Sequence, residues 1–591
     1  MSILSSARKL KKPRLSAARQ GSIDKTVGIT ILLLALLGLN ACSKQTEQIP
    51  ELPTPSAATG SLENKPNVVV ILADDLGYSD LGYYGSEIDT PNLDALARDG
   101  VAFSQFHAAS ACSPTRAMLL TGIDHHLVGL GAMEKGTLAS NQKGIVGYEG
   151  ELNHRAATMG ELFNQAGYST YITGKWHLGE DAMHSPPAFG FNKSFVQLEG
   201  GAGHFNALPG LPFRREAKFR ENGKRSKLPK NFYSSDFYVD KMIDYVDEDR
   251  SANRPFLAYL AMTAPHWPLQ AKSETIEKYA QQYVAGFEKL AQRRSETLVE
   301  KGIVKQANVP KQYEKDEVRQ WSSLSETEKQ YEAKRMAVYA AMIDDMDSAI
   351  GRFITYLKQT EQFENTLFVF MSDNGAEGHT FAKMPMLVGL STMFNISCCN
   401  NDYDNIGNAD SFIPLGPEWV SASNAPFRLY KGFPTQGGIV VPAFISGKGI
   451  ERSGWSHEFF SVKDILPTLL DFTQIDSPHG QFAGRAVLPI EGKSMKDFLQ
   501  NTTDTLYGDS PFMGWELFSK HAVRFKNWKL LNLPEPYGDG RWRLYDLSND
   551  PSELHDLSSE KPNILAMMKG KWAEYQQQGN VIIGIDGPIE Y

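Results

Sequence analysis

From residue 67 to residue 444 the chain repeats one arrangement: a short apolar or β-branched run, then polar residues, then a stretch with helical spacing. Val68-Val69-Val70-Ile71-Leu72 is the first such run. Unbroken apolarity over that length predicts a strand buried on both faces of a parallel sheet. Runs at 168–172, 256–260, 367–370 and 439–444 repeat the signal. Helical periodicity fills several intervals, as at 153–166 and 332–359, and Thr90-Pro91-Asn92-Leu93 opens a helix that Gly100 closes. The alternation predicts an α/β fold. At 591 residues the chain exceeds one typical core, so two units are expected. Residues 66–504 form the larger unit, with a charged, helical insertion at about 271–335. Residues 505–591 form a small α+β unit: strands around Ala522-Val523-Arg524, Trp528-Lys529-Leu530-Leu531 and Leu544-Tyr545-Asp546-Leu547, then an amphipathic helix over 561–577. Residues 385–425 are irregular and rich in Asn, Ser, Gly and Pro, an excursion placed to border a pocket.

Polar residues stand at the ends of the apolar runs. The first run ends in Asp74-Asp75, the second in Lys175-Trp176-His177, the third in His266 and the fourth in Asp373-Asn374; Lys431 precedes the fifth. Ligands of open parallel sheets bind outside the carboxyl ends of the strands, so four of these clusters are expected to share one edge. Asp74, Asp75, Asp373 and Asn374 offer only hard oxygen donors, which suit Ca2+ or Mg2+. Adjacent aspartates on a strand point to opposite faces, so both can serve one ion only where the chain has left strand geometry, as Leu76-Gly77 permits. Lys175 and His177 face the same side of an extended segment and suit an anionic oxygen and a proton transfer. Lys431 precedes Gly437-Gly438, whose backbone can approach a neighbour closely.

Composition narrows the partners. Hydrophobic residues make up 41% and charged residues 22%, as in a soluble globular protein. Residues 1–41 read as a processing segment: seven basic residues from Arg8 to Lys25, then a thirteen-residue apolar run at 27–39 that is too short to span a bilayer comfortably. Leu39-Asn40-Ala41-Cys42 resembles a bacterial lipoprotein signal, with lipid attached at Cys42 and residues 42–65 as a flexible tether. The expected location is the cell envelope, on the periplasmic side of the outer membrane. Cleavage removes seven basic residues and Asp24 and takes the formal charge from −9 to −15, which argues against a nucleic-acid partner. Four cysteines make no disulfide framework; the adjacent Cys398 and Cys399 either pair or stay free thiols.

The most informative run is Cys112-Ser113-Pro114-Thr115-Arg116, continued by Ala117-Met118-Leu119-Leu120-Thr121-Gly122. Ser113 is placed to cap a helix, Pro114 fits its first turn and Gly122 can end it, which sets position 112 just outside a helix N-terminus. An anion is favoured there, and Arg116 can reach the same spot. The run resembles the signature of the sulfatase family, of the alkaline-phosphatase-like superfamily. Asp74-Asp75-Leu76-Gly77, Gly174-Lys175-Trp176-His177-Leu178-Gly179, Ala264-Pro265-His266, Ser372-Asp373-Asn374-Gly375, Leu544-Tyr545-Asp546-Leu547, Asp550-Pro551 and Glu553 extend the likeness in order. Tyr78-Ser79-Asp80, Asp124-His125-His126 and Pro265-His266-Trp267-Pro268-Leu269-Gln270 make the chain most similar to bacterial arylsulfatases. Thr115 replaces a commoner Ser, and Gln436 stands where many members have Glu.

The resemblance implies a mixed, mostly parallel sheet flanked by helices, and an arylsulfatase that releases inorganic sulfate. It implies that a maturation enzyme oxidises Cys112 to formylglycine, whose hydrate supplies the nucleophile. Asp74, Asp75, Asp373, Asn374 and residue 112 would bind one Ca2+, while Arg116, Lys175, His177, His266 and Lys431 would surround the sulfate. Asp373 would take the nucleophile's proton, His266 with Lys431 would assist the leaving oxygen, and His177 would be the base that expels sulfate. An aryl sulfate ester is the expected substrate and a monomer the expected state. Two rivals are a phosphate or phosphonate monoester hydrolase of the same superfamily and a non-catalytic, lipid-anchored protein that binds sulfated glycans. His204, in Gly201-Ala202-Gly203-His204, is expected to line the pocket with the 385–425 excursion.

Overall fold

The computed structural model describes residues 62, 65–210, 215–305, 318–380 and 399–586. The leader, the Cys42 lipid site, most of the tether, Cys398 and the first part of the 385–425 excursion lie outside the described residues. Cys112 is a free thiol and Cys399 is disulfide-bonded.

Ten strands form the main sheet: β1 (Asn67–Ala73), β2 (Gly100–Phe103), β3 (Ser169–Lys175), β4 (Lys193–Gln197), β5 (Phe219–Glu221), β6 (Lys224–Ser226), β7 (Phe256–Ala261), β8 (Thr366–Ser372), β9 (Ala443–Gly447) and β10 (Gly454–Ser456). Their spatial order is β10-β2-β9-β8-β1-β7-β3-β4-β5-β6. The central strands β8, β1, β7, β3 and β4 are parallel, with Val70 opposite both Val369 and Tyr259. All residues of β1, β7 and β8 are buried, as unbroken apolar runs require. The fifth predicted run starts late: residues Gln436–Ile439 form a short helix, and β9 begins only at Ala443. β9 then runs antiparallel to β8 and β2. A chain entering an antiparallel strand enters at the edge where its parallel neighbours end, so the segment before β9 reaches the carboxyl edge.

Helices flank this sheet. The 34-residue helix Glu326–Gln359 starts earlier than its apolar spacing predicts, because Ser325 and Glu328 form a reciprocal capping box. The helix Phe287–Glu300 buries Phe287, Leu290, Ala291 and Leu298 in the core. Its fully buried Arg294 pairs with Asp80 at 2.5 Å and Glu87 at 2.8 Å, which anchors the 80–87 segment following the Asp74-Asp75 turn.

The C-terminal part is an antiparallel meander of β11 (Phe512–Leu517), β12 (Lys520–Phe525), β13 (Trp528–Asn532) and β14 (Trp542–Asp546), covered by the helix Pro562–Gln578. Its faces alternate as a strand requires. Val523, Leu530 and Leu544 pack with Met568 and Trp572 of the helix, while Ala522, Leu531 and Tyr545 join the core of the main unit. All described residues belong to one compact unit.

A buried charged cluster ties the C-terminal meander and its helix to the segment around Asp124 and His126. His126 Nδ1 lies 2.7 Å from Asp124 Oδ1 and its Nε2 3.4 Å from Glu516 Oε2 on β11. Tyr575 of the C-terminal helix donates to Asp124 Oδ2 at 3.0 Å. Burial opposes charge on His126, but Asp124 and Glu516 outweigh it and push the imidazole up from 6.5 to about 9. A pKa raised on folding contributes stability that is complete below the unfolded value and lost as pH rises through the folded one. The His126 contribution is therefore expected to be complete below about pH 6.5, on the order of 3 kcal/mol, and to fade through pH 9. Denaturant unfolding of wild type and His126→Gln across pH 6 to 10 checks this, and a stability gap that stays constant over that range would refute it.

Candidate active site

The fold brings the polar strand ends together. β1, β3, β7 and β8 are parallel, so Asp74-Asp75, Lys175-Trp176-His177, His266 and Asp373-Asn374 emerge at one edge. The Cys112–Thr121 helix carries Cys112 and Arg116 one turn apart on the same face. Cys112 is the first helical residue and Ala111 the N-cap; Ser113 does not cap the helix but donates to the Met133 carbonyl at 2.5 Å. Gly122 ends the helix in the left-handed region, with φ of 67°.

Backbone strain marks the turns. Asp75 has φ of 64° and His177 φ of 54°, a region side chains other than glycine rarely adopt. The turn at Asp75 takes the second aspartate out of strand alternation, so both carboxylates reach Cys112. Sγ lies 3.5 Å from Asp74 Oδ1 and 3.8 Å from Asp75 Oδ1. Gly174 precedes Lys175 with φ of 112°, and a Cβ there would sit 1.7 Å from the Ala261 carbonyl oxygen. A Cβ on Gly375 would sit 1.8 Å from the Gly437 carbonyl oxygen, and the Gly375 N–H donates to Gly438. The close approach expected of Gly437-Gly438 is thus made to the turn that holds Asn374.

Seven charged side chains are buried here almost without water. Lys175 Nζ lies 2.8 Å from each Asp74 oxygen, and Lys431 Nζ 2.9 Å from Asp75 Oδ2. Arg116 gives Nε and Nη2 to Asp373 Oδ2, at 3.1 and 2.8 Å, and Nη1 to the Lys175 carbonyl at 2.9 Å. Its donors therefore hold the scaffold, fixing Asp373 and the Lys175 backbone. Glu377, which the sequence reading missed, sits 3.5 Å from Lys431 Nζ while its other oxygen accepts from the His379 N–H and ring. Its signal was a glutamate three residues beyond Asn374, on the turn already singled out.

Both predicted catalytic histidines have a ring nitrogen without a hydrogen bond. Nδ1 of His266 donates to the Trp267 carbonyl at 2.6 Å, so its neutral form carries a bare, buried Nε2, 3.5 Å from Asp75 Oδ2. Burial, then Lys431 and Lys175, hold this ring neutral. His177 is buried with no hydrogen bond within 3.5 Å at either nitrogen, Glu134 Oε2 lies 3.9 Å from its Nε2, and burial, opposed by that carboxylate, pushes the ring down to about 4. His204 is not on the pocket wall. It lies behind His266, with both nitrogens used: Nε2 donates to the His266 carbonyl at 2.9 Å and Nδ1 accepts from Ser234 at 2.7 Å.

The donor set fits a hard divalent cation. Asp74, Asp75, Asp373 and Glu377 are four buried carboxylates against three buried cations, Arg116, Lys175 and Lys431. Burial pushes Asp74 up to about 7 and raises Asp75, despite their lysines. A further positive charge would relieve both. Ligand atoms of Asp74, Asp75, Cys112 and His266 lie within 4.8 Å of one another. Asn374 donates through Nδ2 to Asp75 at 2.6 Å, and its buried Oδ1 has no hydrogen-bond partner. An orphaned amide oxygen beside two carboxylates is a donor suited to Ca2+. Asp373 adjoins this group through the Asp75 N–H at 3.1 Å.

The chain is also similar to known proteins along most of its length. The sequence model of the family described as Sulfatase matches residues 66–475, and that of the N-sulphoglucosamine sulphohydrolase C-terminal region matches residues 436–578. An uncharacterized sulfatase of Schizosaccharomyces pombe is 41% identical over 533 residues, which cover 88% of this chain and 95% of that one. An arylsulfatase of Klebsiella aerogenes is 39% identical over 445 residues, covering 74% and 93% respectively. Among solved structures, Ps i-CgsB in complex with k-i-k-neocarrahexaose superposes with a TM-score of 0.60 at 25% identity, over 88% of this chain and 96% of that one. The chain belongs to the sulfatase family, hydrolases acting on sulfuric ester bonds.

Proposed function

We propose that the protein is an arylsulfatase that hydrolyses sulfate esters to a phenol or alcohol and inorganic sulfate, with a formylglycine made from Cys112 and one bound Ca2+. The observation that carries this reading is the convergence on Cys112 of the carboxylates Asp74 and Asp75, with Lys175, Lys431 and the two open imidazoles around them. An unmodified cysteine suits nucleophilic chemistry poorly here. Burial, then Asp373, hold its thiol well above the ordinary range, so the thiolate is scarce. Its Sγ stands in for the oxygens of a hydrated aldehyde. That hydrate supplies one hydroxyl to attack sulfur and a second whose deprotonation re-forms the aldehyde and expels the sulfate carried on the first oxygen.

Asp74, Asp75, Asp373, Asn374 and the oxidised residue 112 would hold Ca2+, which supplies a Lewis acid for a sulfuryl oxygen. With the aspartates so engaged, Lys175 and Lys431 can turn their ammonium groups to the other sulfate oxygens. Arg116 keeps Asp373 aimed, and Asp373 accepts the nucleophile's proton. His266 Nε2 meets the leaving oxygen. The two lysines that disfavour its proton are the groups an anionic ester would offset, so substrate binding favours the protonated donor. His177 is neutral near pH 7 and so a competent base for the hydroxyl of residue 112 in the release step. A phenolic leaving group needs little protonation, which favours aryl esters. The leader pattern supports export and lipid attachment at Cys42.

Three experiments test the assignment. Mass spectrometry of the Cys112 peptide from active, natively produced protein is expected to show the aldehyde or its hydrate, and Cys112→Ala should lose sulfate ester turnover while keeping its fold. Unmodified cysteine in fully active protein would end the formylglycine reading. Removal of Ca2+ by chelation is expected to lower the melting temperature by several degrees, because Asp74 and Asp75 lose their counter-charge, and turnover should fall about a hundredfold or more. Added Ca2+ should restore both in wild type but not in Asp75→Asn; equal melting curves with and without chelator would exclude a resident ion.

A further inference from the structure

The segment after β4 touches both imidazoles from one side. A Cβ on Gly200 would lie 2.7 Å from Cε1 and 2.9 Å from Nε2 of His177. A Cβ on Gly201 would lie 3.0 Å from Cε1 of His266. The two rings therefore rest on adjacent bare positions of one backbone, and at Gly200 a side chain would press directly on a ring. Three residues on, His204 donates from Nε2 to the His266 carbonyl. His204 is itself fixed on all sides. Its N–H donates to Gln270 Oε1 at 2.7 Å, its carbonyl accepts the Ser234 N–H at 2.8 Å, and its Nδ1 accepts the Ser234 hydroxyl at 2.7 Å. It is 1% exposed. The segment is braced as a small turn, with Gly203 N–H to the Leu208 carbonyl at 2.8 Å and Gly210 N–H to the Gly201 carbonyl at 3.1 Å.

We propose that residues Gly200 to His204 are a positioning element that sets where both histidines stand relative to the reacting sulfur: Gly200 for His177, and Gly201 with His204 for His266. The proposal rests on the roles given above to the two histidines. On those roles His266 acts while the phenol leaves and His177 acts after it has gone. The two halves of the segment must then leave different kinetic signatures. A misaimed His266 penalises esters of weakly acidic phenols most, because these need the most help at the leaving oxygen. A misaimed His177 slows a step common to all esters, one that enters kcat but not kcat/KM.

The test is a series of aryl sulfates of graded leaving-group acidity, run on the mature, Ca2+-loaded full chain. His204→Ala is expected to lower kcat/KM about tenfold more for a poor leaving group than for 4-nitrophenyl sulfate. His204→Gln, whose amide N–H can reach the His266 carbonyl, should recover most of that loss. Gly201→Ala leaves the hydrogen bonds of His204 in place and should show the same leaving-group dependence, which keeps a probe available if His204→Ala fails to fold. Gly200→Ala should lower kcat about tenfold with kcat/KM within about threefold for every ester. His266→Ala is the reference. If it steepens the leaving-group dependence while His204→Ala and Gly201→Ala lower all esters equally, the positioning role is overturned. If His266→Ala itself leaves the dependence unchanged, the role given to His266 fails and the proposal fails with it.

Discussion

Everything at this site depends on holding like charges together without water. Asp74 and Asp75 are neighbours in the chain and their carboxylates both face Cys112, with Asp373 and Glu377 close by. Arg116, Lys175 and Lys431 make that tolerable, and each is fully buried. Removing one partner from a buried pair costs about 3–5 kcal/mol, because the charge left behind has neither water nor counter-ion. The sheet answers this demand by geometry: parallel strands deliver the acids to one edge, and the reversal at β9 delivers Lys431 to the same edge. The site is thus strained by design, with left-handed backbone at Asp75 and His177 where the carboxylate and the imidazole must turn inward.

The smaller sheet shares in this arrangement. Lys529 on β13 pairs with Glu553 at 2.5 Å and donates to Gln436 Oε1 at 3.0 Å, while the Gln436 N–H donates to Glu553 at 3.0 Å. Gln436 opens the short helix whose Gly437 and Gly438 back the Asn374 turn. A neutral Gln at 436 leaves Lys529 with one carboxylate to balance; a Glu there would add a second. The C-terminal meander therefore reaches the turn that carries Asn374 through one layer of hydrogen bonds, and the His126 cluster holds it against the segment that follows the Cys112 helix.

Much of this was legible in the chain because burial on both faces leaves no room for polar residues inside a strand. The apolar runs located the central strands, and their polar ends located Asp74, Lys175, His266 and Asp373. What periodicity does not carry is direction: the run before Phe444 looks like its parallel neighbours, and only the pairing of β9 shows the reversal that brings Lys431 in. Local chemistry misled at Ser113, whose hydroxyl serves the Met133 carbonyl, and at His204, which supports His266 from behind. Gly200 and Gly201 were hard to see because a glycine's role lies in what approaches it. Glu377 was missed because its partner, Lys431, is remote in sequence.

The burial of residue 112 also has a consequence in time. Cys112 is 1% exposed in the finished fold, and Asp373 just after β8 and Lys431 in the loop before β9 are among the charges set around it. Those parts are synthesised long after the cysteine itself. Until they exist the cysteine can be reached as part of an open chain, and afterwards it cannot. Chemistry that must be done on this side chain from outside is therefore bound to the interval before folding, so the order of synthesis, modification and folding is written into where one side chain ends up.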